Sequence, residues 1–265
     1  MPIPAEGYPL TAAVSPRVQV VEKTDSTNAD VLHHLKEESA EWPHLSVLLT
    51  TDQRHGRGRM DRSWTAPPET ALAVSVVLRV RDLPVTARGW IPLLAGAAMT
   101  RAVAAQMPSD THAVGLKWPN DVQVDGGKIC GILAEVAHSD PDAVVVGAGV
   151  NTRMAAVDLP VSTATSFEAL GLECDDDRLL ADFLRDLDEQ VQALTKAGGS
   201  AAGASLHEKV EELCTTIGSR VRVALPDGSA LEGVATRLDP DGRLLVQRDD
   251  GSATAVSAGD VVHVR

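Results

Sequence analysis

Beyond Cys214 the chain breaks into short runs rich in Val and Leu, at residues 221–225, 231–238, 244–248, 253–256 and 261–264. They are divided by Pro226-Asp227-Gly228, Asp239-Pro240-Asp241-Gly242 and Asp249-Asp250-Gly251. Turn chemistry at that even interval fits a small all-β barrel and places a domain boundary near residue 215. Upstream the pattern is mixed. Residues 47–51, 71–80 and 143–150 read as buried strands. Residues 114–118, 121–124 and 128–136 read as shorter strands, the last two joined by the hairpin signal Asp125-Gly126-Gly127. Helices are expected over 28–38, opened by a cap at Ser26 or Thr27, over the Ala-rich and hence central 92–107, and over 178–194 and 205–213. Residues 1–16, with four prolines, read as an extended tail. The expected division is therefore a tail at 1–16, a larger domain at 17–214 and a small β domain at 215–265.

With Trp 4, Tyr 1 and Phe 2, the core must be built from Ala, Val and Leu, and each tryptophan invites a question. A net charge of -13 favours solubility and argues against broad phosphate-backbone binding, so no nucleic-acid partner is expected. Cys130, Cys174 and Cys214 are widely spaced, which fits neither a disulfide framework nor a zinc site and points to a reducing, cytoplasmic setting. No apolar run approaches the ~20 residues that span a bilayer, and the start has no charged segment leading into an apolar one. Neither secretion nor a membrane partner is expected.

Against this acidic background, residues 53–64 place four arginines (Arg54, Arg57, Arg59, Arg62), Gly56, Gly58 and Trp64 in one loop after Gln53. Glycines let backbone N–H groups approach an anion, arginines add forked donors, and the indole offers a face for a ring. Ser26, Thr27 and Asn28 exceed what capping a helix needs, while Gln53 has donor and acceptor for an amide or cyclic urea. Lys117 and Lys128 stand in apolar strand contexts and need an anion. For Lys128 that is either a ligand or a salt bridge to Glu135 or Asp125. Regular alternation puts Lys128 on the face of Cys130 and Ile132, away from Ile129 and Gly131. Asn120 and Asp121 offer hard oxygens suited to Mg²⁺, or simply a turn. Trp118 reads as core, Trp64 as the better stacking platform, and Gly147-Ala148-Gly149 as a strand that another group approaches closely. No nucleophile–base pair stands out. This equipment suits carboxylate activation by adenylation, followed by acyl transfer to an amine.

Thr24-Asp25-Ser26-Thr27-Asn28, the arginine loop, Lys117-Trp118-Pro119-Asn120-Asp121, Lys128-Ile129-Cys130-Gly131-Ile132-Leu133-Ala134-Glu135 and Gly147-Ala148-Gly149-Val150-Asn151, in this order, resemble the bacterial biotin protein ligases. The resemblance implies an α+β fold: a mixed sheet flanked by helices, class II synthetase-like, followed by an SH3-like barrel. It implies formation of biotinyl-5′-adenylate from biotin and MgATP, then transfer to a lysine of a biotin carboxyl carrier domain. It carries biotin contacts to Ser26, Thr27, Asn28, Gln53, Gly56, Arg57, Lys128 and Gly131. Carboxylate, phosphate and adenine contacts fall to Arg59, Arg62, Trp64, Lys117, Asn120 and Asn151. Asp121 matches the metal side, and Lys128 and Arg59 the catalytic charge. Asp61, where the family has glycine, and Cys130, where it often has alanine, bear on ATP affinity and loop motion. About twenty residues before Thr24 are too few for a helix-turn-helix repressor module. The chain is thus expected to be a ligase without a DNA-binding arm, monomeric or weakly dimeric. A lipoate- or octanoate-transferring relative is the alternative enzyme, and a non-catalytic biotin-binding protein the reading from another class.

Overall fold

A computed structural model of the chain describes residues 7–60, 62–225, 229–257 and 260–263. Asp61 and the turn at 226–228 lie outside the described residues. The strands of the larger domain, in chain order, are β1 (Val18–Val20), β2 (Val47–Thr50), β3 (Gly56–Arg57), β4 (Ser63–Trp64), β5 (Ala71–Arg79), β6 (Val114–Lys117), β7 (Asp121–Val124), β8 (Gly127–Ala137) and β9 (Asp140–Asn151). Its helices are α1 (Pro9–Ala12), α2 (Thr27–Glu37), α3 (Ile91–Ala104), α4 (Asp176–Lys196) and α5 (His207–Leu213). Seven strands form one sheet in the order β1-β2-β5-β9-β8-β7-β6, antiparallel except for the β1–β2 pair.

β5 is buried on both faces, and alternate residues enter different cores, as a two-residue period requires. Leu72, Val74, Val76 and Leu78 join the main core beneath α3 and α4, whereas Val77 joins a second cluster with Val31 and Leu35 of α2. Across neighbouring strands this second face runs Val77, Val145 and Glu135, then Ser75, Gly147 and Leu133, then Ala73, Gly149 and Gly131. It is largely apolar under α2 and bare beyond the helix N-terminus. That bare region is the floor of the cleft described below.

β10 (Arg220–Ala224), β11 (Ala230–Leu238), β12 (Leu244–Gln247), β13 (Ala253–Val256) and β14 (Asp260–His263) make a separate antiparallel sheet, in the order β13-β12-β11-β10-β14. Two buried tryptophans join it to the larger domain. Trp90 Nε1 donates to Pro240 O at 2.8 Å, and Trp118 Nε1 donates to Gly242 O at 3.2 Å. Trp118 is therefore core, as its type suggested.

The extended tail requires correction. Pro9–Ala12 is a helical turn docked on α4, with Thr11 fully buried. Asp177 accepts from Leu10 N and Thr11 N, both at 2.8 Å, so a distant carboxylate caps the free N–H groups while Pro9 pre-sets the first turn. β1, absent from the sequence expectation, exists because its backbone pairs with β2.

Candidate active site

One cleft of about 390 Å³ gathers the candidate residues. Ser26, Thr27, Asn28, Gln53, Arg57, Arg59, Arg62, Trp64, Lys117, Asn120, Asp121, Lys128, Gly131 and Asn151 all line it. Gly56 does not; it lies buried behind the wall, where a Cβ would meet Gln53 Nε2 and Trp64 O, both at 2.5 Å. Its lack of a side chain lets the β3–β4 hairpin close over Gln53.

The polar end is built by α2. Ser26 Oγ accepts from Ala29 N at the helix start, which aims the next two side chains at the sheet. Gln53 Oε1 accepts from Thr27 N at 2.9 Å and Thr27 Oγ1 at 3.2 Å. Ser75 Oγ donates to Asn28 Oδ1 at 2.5 Å, and Asn28 Nδ2 donates to Glu135 Oε2 at 2.8 Å.

Three glycines form the floor, and a candidate side chain is seated on each. A Cβ on Gly147 would lie 2.4 Å from Asn28 Oδ1, one on Gly149 2.5 Å from Trp64 Cε2, and one on Gly131 3.1 Å from Lys128 Nζ. The close approach expected at 147–149 is thus by side chains of this same chain. Trp64 stands apart from the other aromatics: Trp42, Trp90, Trp118, Phe167 and Phe183 are fully buried and Tyr8 nearly so, while Trp64 is half-buried on the cleft wall.

Lys128 departs from its expected position. The β7–β8 register slips, with Val122 opposite Cys130 and Gln123 opposite Lys128, leaving Ile129 as an extra residue. Such a bulge breaks the alternation. Ile129 and Cys130 are both buried, and Lys128 lies over Gly131 on the cleft side, not on the face of Cys130 and Ile132. Its partner is also neither Glu135 nor Asp125. Lys128 Nζ is 2.6 Å from Asp121 Oδ1, whereas Asp125 holds His112 Nδ1 and Glu135 holds Arg57 Nη2 at 3.0 Å. Both members of the Lys128–Asp121 pair are partly exposed, so the contact is worth about 1 kcal/mol or less, an amount an entering anion can offset.

Around this centre, Arg59 Nη1 donates to Asn120 Oδ1 at 3.1 Å and Asn120 Nδ2 donates to Ile132 O at 2.7 Å. Asn151 Nδ2 donates to Thr165 O at 2.9 Å. Lys117 has no ion pair among the described residues and lines the cleft beside Asn120. Among the described residues no group of three or more His, Cys, Asp or Glu side chains is placed to hold a metal. Burial pushes the Cys130 thiol well above its ordinary value, which removes it as a nucleophile.

Sequence reasoning missed Glu135 as an anchor, Ser75 as a bridge, and a wall made by residues 160–165. That segment runs along Lys128, with Lys128 N donating to Thr163 O at 2.7 Å and Thr165 N to Lys128 O at 2.8 Å. It has no periodicity to betray it. Glu135 had a signal, since it stands two and four residues beyond Leu133 and Gly131 on one face.

Comparison with known proteins bears on the family and the fold. The Biotin/lipoate A/B protein ligase family matches residues 20–151, and the Biotin protein ligase C terminal domain matches residues 216–264. A biotin–acetyl-CoA-carboxylase ligase of Mycobacterium tuberculosis is 40% identical over 252 residues, covering 94% of this chain and 90% of the relative. The chain belongs to the biotin protein ligases. Within that family, the bifunctional ligase/repressor BirA of Escherichia coli is 29% identical, covering 88% of this chain and 70% of its own length. The biotin protein ligase of Aquifex aeolicus, solved in complex with biotin and ATP, shares the fold at a TM-score of 0.73 and 23% identity, over 94% of this chain and 99% of that one. The enzyme of Leishmania major with biotinyl-5-AMP does so at 0.61 and 23%, over 92% and 99%. This biotin protein ligase thus combines the mixed catalytic sheet with a small antiparallel C-terminal β domain. No helix among its described residues is long and apolar enough to cross a membrane.

Proposed function

We infer that this biotin protein ligase forms biotinyl-5′-AMP from biotin and ATP and passes the biotinyl group to a lysine of the carrier domain of acetyl-CoA carboxylase. The observation that carries the reading is the convergence of the motif residues on one cleft, in a chain 40% identical to a ligase of that name over 94% of its length.

The roles follow from position. The amide and hydroxyl groups of Thr27, Asn28 and Gln53 form a neutral, two-way hydrogen-bonding end that suits a cyclic urea. Leu133 and the bare glycine floor take the apolar rings and chain. The biotin carboxylate then reaches Lys128, where the charge of the first step develops. A carboxylate oxygen attacks the α-phosphorus, the bond to the bridging oxygen breaks, and pyrophosphate leaves. Lys128, Arg59 and Arg62 stabilise the added charge, and no enzyme nucleophile takes part. Trp64, seated on Gly149, covers the adenine, with Asn151 and Lys117 on the nucleotide side. In the second step the acceptor lysine, as the free amine, attacks the acyl carbon. AMP departs with the bonding pair, and the amine loses a proton to water.

Magnesium fits a modest donor set here. Asp121 is one partly exposed carboxylate beside the Asn120 carbonyl oxygen, and an ion that keeps most of its shell as water and phosphate needs no more. When bound, the ion neutralises triphosphate charge. Asp121 and Asn120 would hold it, and Asp121 so engaged would release Lys128.

The test is biotin-dependent pyrophosphate release, together with mass spectrometry of an acetyl-CoA carboxylase carrier domain after reaction. One biotinyl increment on one lysine is expected. A lipoyl or octanoyl increment instead, or none from any acid, overturns the reading.

A further inference from the structure

Glu135 is not among the residues the motifs mark as touching substrate, yet two of those residues share one of its oxygens. Glu135 Oε2 accepts from Asn28 Nδ2 at 2.8 Å and from Arg57 Nη2 at 3.0 Å. The carboxylate sits in a row whose other members across the sheet, Val145 and Val77, are buried and apolar. The carboxylate is only a quarter exposed, so its charge there is favoured by the partners it holds.

We propose that Glu135 is a positioning residue for the biotin site, holding Asn28 of α2 and Arg57 of the β3–β4 hairpin in their binding orientations at once. The geometry admits one arrangement of the Asn28 amide. Its oxygen faces the donating Ser75 hydroxyl, at 2.5 Å, and its nitrogen faces the Glu135 carboxylate, with Leu133 O as a second acceptor at 3.3 Å. A flipped amide would set oxygen against carboxylate. Gly147 leaves the room for this packing, since any Cβ there would strike the same amide. Through the same oxygen Glu135 holds the half-exposed Arg57 guanidinium and ties β3 to β8. Removing the charge leaves only a neutral acceptor, which weakens both contacts and loosens both side chains. Biotin must then order them on binding, which lowers affinity without changing the groups that meet the reacting atoms.

The proposal rests on the biotin ligase reading, and its test separates the two. Wild-type protein is assayed first for biotin-dependent pyrophosphate release; absence of that signal refutes the reading itself, and Glu135 with it. In Glu135→Gln, shape is kept and charge lost. The dissociation constant for biotin, measured directly without ATP, and the KM for biotin should both rise roughly tenfold. The KM for ATP should stay within about twofold and kcat should fall less than the affinity. A merely structural role would lower kcat and raise both KM values together, or lower only the melting temperature. Arg57→Gln guards against a folding defect at position 135, because it breaks the same pair from the exposed side. Since both variants break the Glu135–Arg57 pair, their losses should couple, and the double variant should be less impaired than the product of the two single losses. Unchanged biotin affinity in Glu135→Gln, or fully additive losses in the double variant, overturns the proposal.

Discussion

Gly149→Ala is the substitution whose effect the structure specifies most closely. A methyl group at this position would stand 2.5 Å from Trp64 Cε2 and 2.6 Å from Cζ2, where carbon atoms rest at about 3.5–4.0 Å. The indole must therefore withdraw by about 1 Å or more. The sheet cannot yield instead, because Gly149 is paired with Ala73 on one side and Gly131 on the other. The hairpin that carries Trp64 is held by two residue pairs, so the strain moves the hairpin. Overpacking of this kind costs about 1–3 kcal/mol. Expressed in nucleotide binding, where about 1.4 kcal/mol is a factor of ten, that raises the KM for ATP by roughly 5- to 150-fold. The assay is pyrophosphate release against ATP at saturating biotin, paired with iodide quenching of tryptophan emission. Trp42, Trp90 and Trp118 are buried, so quenching reports Trp64 almost alone. Increased quenching with raised KM for ATP and little change in KM for biotin is expected. An ATP KM within twofold of wild type and unaltered quenching would refute the argument that Trp64 is seated on Gly149 to receive the nucleotide.

Lys128→Ala should lower the rate of pyrophosphate release by about 10²–10³, and activity within threefold of wild type would remove Lys128 from the first step. In the 53–64 loop, Arg54 is already paired with Asp52 and Arg57 with Glu135, and Arg59 donates to Asn120, so these three arginines hold protein partners before a ligand arrives. Ligand closure is then an exchange of partners, and hydrogen exchange at residues 54–60 and 62–64 should slow when a non-hydrolysable adenylate analogue binds; equal protection in both states rules out gating. The His112 ring and the Ala113 N–H hold the Asp125 carboxyl below its ordinary value of 3.8. A carboxyl lowered by folding stabilises at pH above that ordinary value and loses the contribution as pH falls through the lowered one. The gap in melting temperature between wild type and Asp125→Asn should therefore be present at neutral pH and close on acidification through that window, and a gap independent of pH contradicts the assignment.

Much of this site was legible before any coordinates. The Ser26–Thr27–Asn28 block and the arginine loop announce their chemistry by residue type, and the ordered motifs named the family. The β-rich runs beyond Cys214 likewise form the antiparallel strands expected of them, because turn residues and alternation act over a few neighbours. α2 begins where its cap stands and ends within a residue of expectation, for the same local reason.

What sequence could not reach depends on residues far apart in the chain. The expectation that Lys128 faces away from Gly131 assumed an unbroken ladder, and the bulge at Ile129 arises from how β8 meets β7, not from the identity of Ile129. The partner of Lys128 proved to be Asp121 because that bulge turns the lysine over Gly131 toward the start of β7. Pro9–Ala12 became helical because Asp177, far along the chain on α4, satisfies its free N–H groups at Leu10 and Thr11. Which residues are candidates for the chemistry was legible from composition and spacing along the chain. Which of them touch, and through which glycine, was decided by strand register, since a one-residue shift between strands reverses every side chain beyond it.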